Sequence, residues 1–129
     1  MDKRKVIYDC DPGHDDAIAL LIGLASEKLD IVAITTSAGN QTQDRTYTNV
    51  KGLLSLVKRE DIPVGRGAEK PLKRNLIIAD YIHGKTGIDG AELPLPTVED
   101  RKLKALDLMV EILRKSDEKV TIVATGPQT

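Results

Sequence analysis

Apolar residues fall in blocks along this chain, and the period changes from block to block. Val6-Ile7-Tyr8-Asp9 reads as a short, mostly apolar strand, closed by the turn signal Asp11-Pro12-Gly13. From Asp15 the pattern becomes helical, with acidic residues in the first turn, where the helix dipole favours them. The body of that helix, Ala17 to Ala25, is apolar nearly all round, which predicts a buried helix. Asp30 to Ala38 is a continuous, β-branched run, as expected of a strand covered on both faces, and Gly39-Asn40 closes it. A second helix is predicted from about Gln43 to Lys58, with Val50, Leu53, Leu54 and Val57 at i, i+3, i+4 and i+7. Ile62-Pro63-Val64 suggests a third short strand.

Residues 65–97 are rich in glycine and proline and poor in periodic apolar positions, so they read mostly as loop. A loop of that length inside a compact domain is usually functional or disordered. Helical periodicity returns over about 100–115, with Leu103, Leu106, Val110 and Leu113 on one face, and Val120 to Ala124 reads as a last buried strand. Strands alternating with helices imply an open, mostly parallel α/β sheet with helices on both faces, Rossmann-like, with right-handed crossovers. Ligands of such sheets bind beyond the carboxyl ends of the strands. Asp9-Asp11, Gly39-Asn40 and Thr125-Gly126 all fall at such ends.

Composition and charge remove several classes of partner. The 129 residues are 40% hydrophobic and 30% charged, which suits one globular unit. Three tyrosines are the only Phe, Trp or Tyr residues, so the core must be aliphatic. Nineteen basic against twenty acidic residues leave a net charge of −1. Nucleic acid is therefore an unexpected partner, since it calls for a basic face and stacking aromatics. The longest apolar run, Ala17 to Ala25, is nine residues. That falls far short of the roughly 20 a membrane span needs. The basic start Lys3-Arg4-Lys5 is not followed by a leader's apolar core, because Asp9 and Asp11 interrupt it. A single cysteine, Cys10, fits a reducing compartment, and a cytoplasmic location is expected.

The chemistry concentrates in one place. Asp9, Asp11, Asp15 and Asp16 put four carboxylates within eight residues. Asp9 and Asp11 share a parity and would point the same way if the strand ran through both. Crowded carboxylates repel, and a hard divalent cation relieves that repulsion, with all-oxygen ligation pointing to Ca²⁺ or Mg²⁺. The bland alternative is that Asp15 and Asp16 cap the helix while the others are solvated. An EF-hand fails on spacing, because His14 and Leu20 stand where its glycine and bidentate acid belong. An aspartyl-phosphate phosphatase of the haloacid dehalogenase type stays as the runner-up, although Gly13 stands where that pattern has Thr or Val. Gly65-Arg66-Gly67 lacks the third glycine of a phosphate fingerprint. Lys102, Lys104, Arg114 and Lys115 read as a solvated helix face.

Asp9-Cys10-Asp11-Pro12-Gly13-His14-Asp15-Asp16-Ala17 resembles the N-terminal signature of the inosine-uridine preferring nucleoside hydrolases. Three further segments are similar to the same family: Ala38-Gly39-Asn40-Gln41-Thr42, Ile82-His83-Gly84 and Ala124-Thr125-Gly126-Pro127. Gln128 departs from the pattern, which usually has Leu there. The resemblance covers essentially the whole chain and implies an open α/β sheet.

It also implies hydrolysis of the N-glycosidic bond of ribonucleosides to ribose and free base, in purine or pyrimidine salvage. By that resemblance Asp11 and Asp16 would ligate Ca²⁺, with the backbone carbonyl of Thr125 as a further ligand. Asp11 would deprotonate a metal-bound water. Asp15 would hold ribose hydroxyls, Asn40 would position the sugar or the water, and Asp9 would orient the other carboxylates. His83 would lie near the base as proton donor or contact. On residue type alone, Asn40 is a turn residue and His83 a loop residue, and only the flanking matches single them out. Members of the family are more than twice this length, so the resemblance is to an N-terminal portion. The remainder would carry a last metal-ligating Asp, a neighbouring His, and the Asn and Glu that hold the ribose 5′ side. On that expectation the fold is incomplete, and self-association or a complementing chain would cover the sheet. A non-catalytic Ca²⁺-binding fragment is the alternative to an active enzyme.

Overall fold

The computed structural model describes residues 2–129. Four strands form one parallel sheet: β1 (Arg4–Cys10), β2 (Leu29–Thr36), β3 (Val64–Arg66) and β4 (Thr121–Ala124), in the order β3-β2-β1-β4. The helices between them are α1 (His14–Ala25), α2 (Gln43–Leu56), the short α3 (Asp80–His83) and α4 (Ala105–Lys115). The predicted open parallel α/β fold is the observed one.

Two apolar clusters lie on opposite faces of the sheet. One packs Tyr8, Cys10, Ile31 and Ile34 of the strands against Ala17 and Leu20 of α1 and Val50, Leu53 and Leu54 of α2. The other packs Ile7 and Ala33 against Leu108 of α4, with Met109 and Ile112 beside it. The chain winds outward from β1 through β2 to β3, then returns on the other face to place β4 on the far side of β1. The strand order therefore reverses between β1 and β4, and a parallel sheet opens a ligand crevice at such a point.

The register of β1 against β2 is broken once. Val6 pairs with Ile31 and Ile7 with Ala33, which leaves Val32 as an extra residue in β2. This bulge shifts every later pair by one, so that Asp9 faces Thr35 and Cys10 faces Thr36.

Several elements differ from the sequence expectation. Strand β3 starts at Val64 rather than Ile62, because Pro63 has no N–H to give a ladder. Helix α4 starts at Ala105, five residues inside the predicted span, and α3 lies inside the predicted loop. Helix α1 is not buried all round. Asp16, Ala17 and Leu20 are buried, whereas Ile18 and Ile22 are 59% and 66% exposed, because the sheet and α2 cover only one stripe of it. In α4 the expected inward face is the outer one. Leu106 is 76% exposed, with Val110 and Leu113 open as well, while Ala105 and Leu108 are buried against the sheet. The helix carries apolar residues on two sides, and periodicity cannot choose between them. Strand β4, predicted buried, leaves Ile122 and Val123 exposed, because it pairs with β1 alone among the described strands.

Candidate active site

The site is built where β1 ends. Asp11 follows the last β1 residue and is buried, and its backbone N–H donates to Asp16 Oδ2 at 3.1 Å. Asp16 sits in the first turn of α1 and is itself buried. Both groups of Asn40 engage Asp11. The Asn40 backbone N–H donates to Asp11 Oδ2 at 2.8 Å, and its Nδ2 donates to the Asp11 carbonyl at 3.0 Å. Asn40 thus fixes the carboxylate from the β2 side, beyond the role of a turn residue.

Burial pushes the Asp11 carboxyl up to about 6, against the opposing bond from the Asn40 N–H, and the negative charge of Asp16 adds to the rise. Two glycines leave room for this carboxylate. A Cβ on Gly39 would collide with Asp11 Oδ2, and one on Gly126 would stand 3.2 Å from Asp11 Oδ1 and 3.0 Å from the Asp11 nitrogen. Gly39 ends the β2 segment and Gly126 follows β4, so three strand ends converge on one carboxylate.

The other predicted residues sit around it. Asp9, half-buried on β1, accepts a 2.5 Å hydrogen bond from Thr35 Oγ1. Burial raises its pKa, opposed by the Thr35 hydroxyl and assisted by the charge of Asp16. Strand β1 stops at Cys10, so Asp9 belongs to the ladder and Asp11 to the turn after it. The Thr125 N–H donates to the Asp9 carbonyl at 2.8 Å, and Thr125 Oγ1 lies 3.0 Å from the Tyr8 hydroxyl, which ties the end of β4 to β1. Asp15 is exposed in the first turn of α1. Burial pushes the Cys10 thiol well up, which suits a packing residue rather than a nucleophile. A cavity of about 1060 Å³ opens on the α4 side of the strand ends, lined by Asp9, Ser37, Arg66, Ile122 and Pro127 among others.

His83 closes α3 and lies against the turn between β1 and α1. A Cβ on Gly13 would come within 2.7 Å of its Nδ1, Cε1 and Nε2. Three polar residues hold this segment in place without having been singled out in the sequence. Gln41, fully buried, donates through Nε2 to the carbonyls of Gly84 and Lys85 at 3.0 and 3.1 Å. Asn49 donates to the Thr86 carbonyl at 2.9 Å. His14 meets His83 directly, with the two Nδ1 atoms 3.2 Å apart. A signal for Gln41 and His14 existed, since both fall inside matched motifs, but Asn49 lies on an ordinary helix and has none.

Among the described residues, no group of three or more His, Cys, Asp or Glu side chains converges as a metal cluster. The donors at hand are the paired Asp11 and Asp16 and the backbone oxygens at the end of β4. They are all oxygen, and burial first, with the neighbouring charge of Asp16 adding to it, raises the Asp11 pKa. That donor chemistry fits a hard cation such as Ca²⁺, which takes about six to eight oxygens, as a partial ligand set.

The sequence profile described as inosine-uridine preferring nucleoside hydrolase matches residues 6–129. The chain belongs to that family. Among its relatives is the pyrimidine-specific ribonucleoside hydrolase RihA of Enterobacter sp. (strain 638), 60% identical over 124 residues, which cover 96% of this chain and 40% of the relative. The RihA protein of Escherichia coli O1:K1 / APEC is 58% identical over the same coverage. Among solved structures, the plant nucleoside hydrolase PpNRh1 superposes with a TM-score of 0.89 at 37% identity, covering 98% of this chain and 40% of that one. An inosine-guanosine nucleoside hydrolase gives 0.88 at 31% identity, with the same shares covered. The chain thus spans 40% of the length of these relatives. No helix among the described residues is long and apolar enough to cross a membrane.

Proposed function

We propose that this chain supplies the strand-end carboxylates of an enzyme that hydrolyses the N-glycosidic bond of pyrimidine ribonucleosides, giving ribose and free base. One observation carries the reading. Asp11 is buried and held by Asn40 at the point where the strand order reverses, with its pKa raised to about 6. A carboxylate in that range accepts a proton from water more readily than an ordinary one, as a general base working near neutral pH requires. Asp11 takes the proton as the water oxygen bonds to the anomeric carbon; the carbon–nitrogen bond breaks with its electron pair leaving on the base, which then takes a proton from solvent. The negative charges of Asp16 and Asp11 favour the cationic, oxocarbenium-like character of that transition state. Asn40 keeps the carboxylate oriented, Asp9 stays on β1 bonded to Thr35, and Asp15, exposed at the start of α1, is the group open to ribose hydroxyls.

Asp11, Asp16 and the Thr125 carbonyl would hold the Ca²⁺ ion. Bound there, the cation supplies a Lewis acid that lowers the pKa of water. The pyrimidine reading follows the named specificity of the RihA relatives at 58–60% identity. Reading the Asp-x-Asp pair as a phosphatase instead has no observation in its favour, since Asp11 is tied to Asp16 and Asn40.

The test is base release from uridine, cytidine and inosine by the 129-residue chain, with and without chelator, alongside phosphate release from a phenyl phosphate and Ca²⁺ titration by calorimetry. Chelator-sensitive uracil release, lost in Asp11→Asn, is the expected outcome. Because the chain spans 40% of its relatives' length, a second reading is Ca²⁺ binding without turnover, in which Asp11→Asn removes the binding heat. Phosphate release, or neither binding nor turnover, overturns both.

A further inference from the structure

A phenol hydroxyl gives one proton and accepts others, so a buried tyrosine can link two groups that do not otherwise meet. Tyr8 lies on β1, between β2 and β4 in the sheet, and its ring is buried in the apolar cluster beneath α1 and α2. Thr125, just past β4, places Oγ1 3.0 Å from the Tyr8 hydroxyl and 3.4 Å from the Asp9 carbonyl. The shorter contact takes the threonine proton. The Tyr8 hydroxyl turns its own proton toward the Asp16 carbonyl in the first turn of α1, at 3.5 Å, the longer of its two contacts. Outside α1, Asp16 is otherwise bonded to the Asp11 N–H, and Thr125 to the Asp9 carbonyl. Among the described residues, the Tyr8 hydroxyl is the one group hydrogen-bonded to both Asp16 and Thr125.

We propose that Tyr8 is a positioning residue that holds the end of β4 to the start of α1, setting the spacing between Asp16 and Thr125 and with it the affinity of the site for a divalent cation. The cation part rests on the reading above, in which Asp11, Asp16 and the Thr125 carbonyl hold Ca²⁺. Asp11 and Asp16 share one short turn, so the local chain sets their distance. Thr125 arrives 117 residues after Tyr8, and tertiary bonds alone can fix it beside them. A ligand left loose must be ordered when the ion binds, at a cost to affinity. The phenol ring and its hydroxyl have separable roles. Tyr8→Phe keeps the ring in the core and removes only the link. Thr125 is exposed and can give its proton to water instead, so the affinity should suffer more than the fold.

The test is Ca²⁺ titration by calorimetry of the 129-residue chain, Tyr8→Phe, Thr125→Val and the double variant. Tyr8→Phe should raise the Kd about tenfold, as loss of a group that orients a metal ligand does. Thr125→Val keeps the backbone carbonyl and should raise the Kd by a similar factor. The double variant should be no weaker, because both changes cut the same link. Thr125→Ser restores the hydroxyl and should return the Kd close to that of the parent. Backbone amide spectra of each variant confirm the fold. A Kd unmoved by Tyr8→Phe, or factors that multiply in the double variant, overturns the proposal and leaves the cation site standing. Absence of Ca²⁺ uptake by the unaltered chain sinks the cation reading instead. Hydrogen exchange at the Thr125 amide, measured in chelator, then decides the link itself. Faster exchange in Tyr8→Phe keeps it, and unchanged exchange overturns it.

Discussion

Asp9 and Thr35 stand opposite each other across the β1–β2 ladder, joined by a 2.5 Å hydrogen bond from the threonine hydroxyl to the carboxylate. They meet only because β2 carries one extra residue at Val32. Without that bulge Asp9 would face Ile34, and a half-buried carboxylate would lie against a branched apolar chain. Replacing Thr35 with Val should therefore raise the Asp9 pKa further above its ordinary value, because burial already raises it and the hydroxyl is the group that opposes this. The loss of a bond to a charged group should cost about 1–3 kcal/mol near neutral pH. Carboxyl ¹³C titration checks the shift, and Thr35→Ser should restore it. An unmoved Asp9 titration in Thr35→Val would show the bond to be unimportant.

Asp11 should make the metal-free chain less stable as pH rises. Its folded pKa of about 6 exceeds the ordinary 3.8, so its contribution is fully present below about pH 4 and is lost as pH climbs through about 6. Asp11→Asn keeps an oxygen for the Asn40 N–H and removes the charge. In chelator, urea midpoints of the variant and the parent should agree near pH 4 and diverge by up to about 3 kcal/mol at pH 8, the variant being more stable. Parallel curves across that range would contradict the raised pKa.

Gly39→Ala should damage the site more than the fold. A Cβ there collides with Asp11 Oδ2 and stands 2.9 Å from the Pro127 ring, so the carboxylate must move. Ca²⁺ affinity, or base release where it is present, should fall at least tenfold, with a stability loss of about 1–3 kcal/mol. Unchanged affinity would mean that Asp11 has room the structure does not show.

Helix α4 offers a direct test of which apolar stripe faces inward. Leu108 is 6% exposed and packs on Ile7 and Ala33, so Leu108→Ala should cost about 2–4 kcal/mol in denaturant unfolding. Leu106, 76% exposed, should tolerate the same change within about 0.5 kcal/mol. The reverse order would restore the face predicted from periodicity.

Arg66 joins α2 to the loop before α4, with ion pairs to Asp44 at 2.7 Å and Asp100 at 2.9 Å and its guanidinium 3.8 Å above the Tyr47 ring. Although the partial burial of Asp100 works the other way, the Lys102 N–H, Arg66 and Tyr47 together hold its carboxyl down at about 2. Arg66→Lys keeps the charge but loses the fork and the stacking, and should cost about 1 kcal/mol, which chemical unfolding can resolve. Equal stability of Arg66→Lys and the parent would reduce this hub to a solvated charge.

Much of this protein was legible without coordinates. The alternation of β-branched runs with helical periods already dictates a parallel α/β sheet, because such strands can be covered only from both faces. The turn chemistry of Asp11-Pro12-Gly13 and Gly39-Asn40 places the polar residues at strand ends. Asp9, Asp11, Asp15 and Asp16 were readable as one carboxylate cluster, and Gly39-Asn40 as another strand end on the same side of the sheet, since local spacing and strand polarity are properties of the chain itself. What sequence could not decide depends on contacts between distant segments. The choice between the two apolar sides of α4 depends on which strand ends lie beneath it. The exposure of β4 and of the outer side of α1 depends on which neighbours the sheet has. The Val32 bulge, which brings Thr35 to Asp9, is a property of two strands in register and leaves no mark on either alone. The His14–His83 contact spans 69 residues and exists because Gln41 and Asn49 tie a loop back over the start of α1. Periodicity and turn signals are short-range, whereas a side chain's partner and proton are set by whatever the tertiary fold brings within about 3 Å.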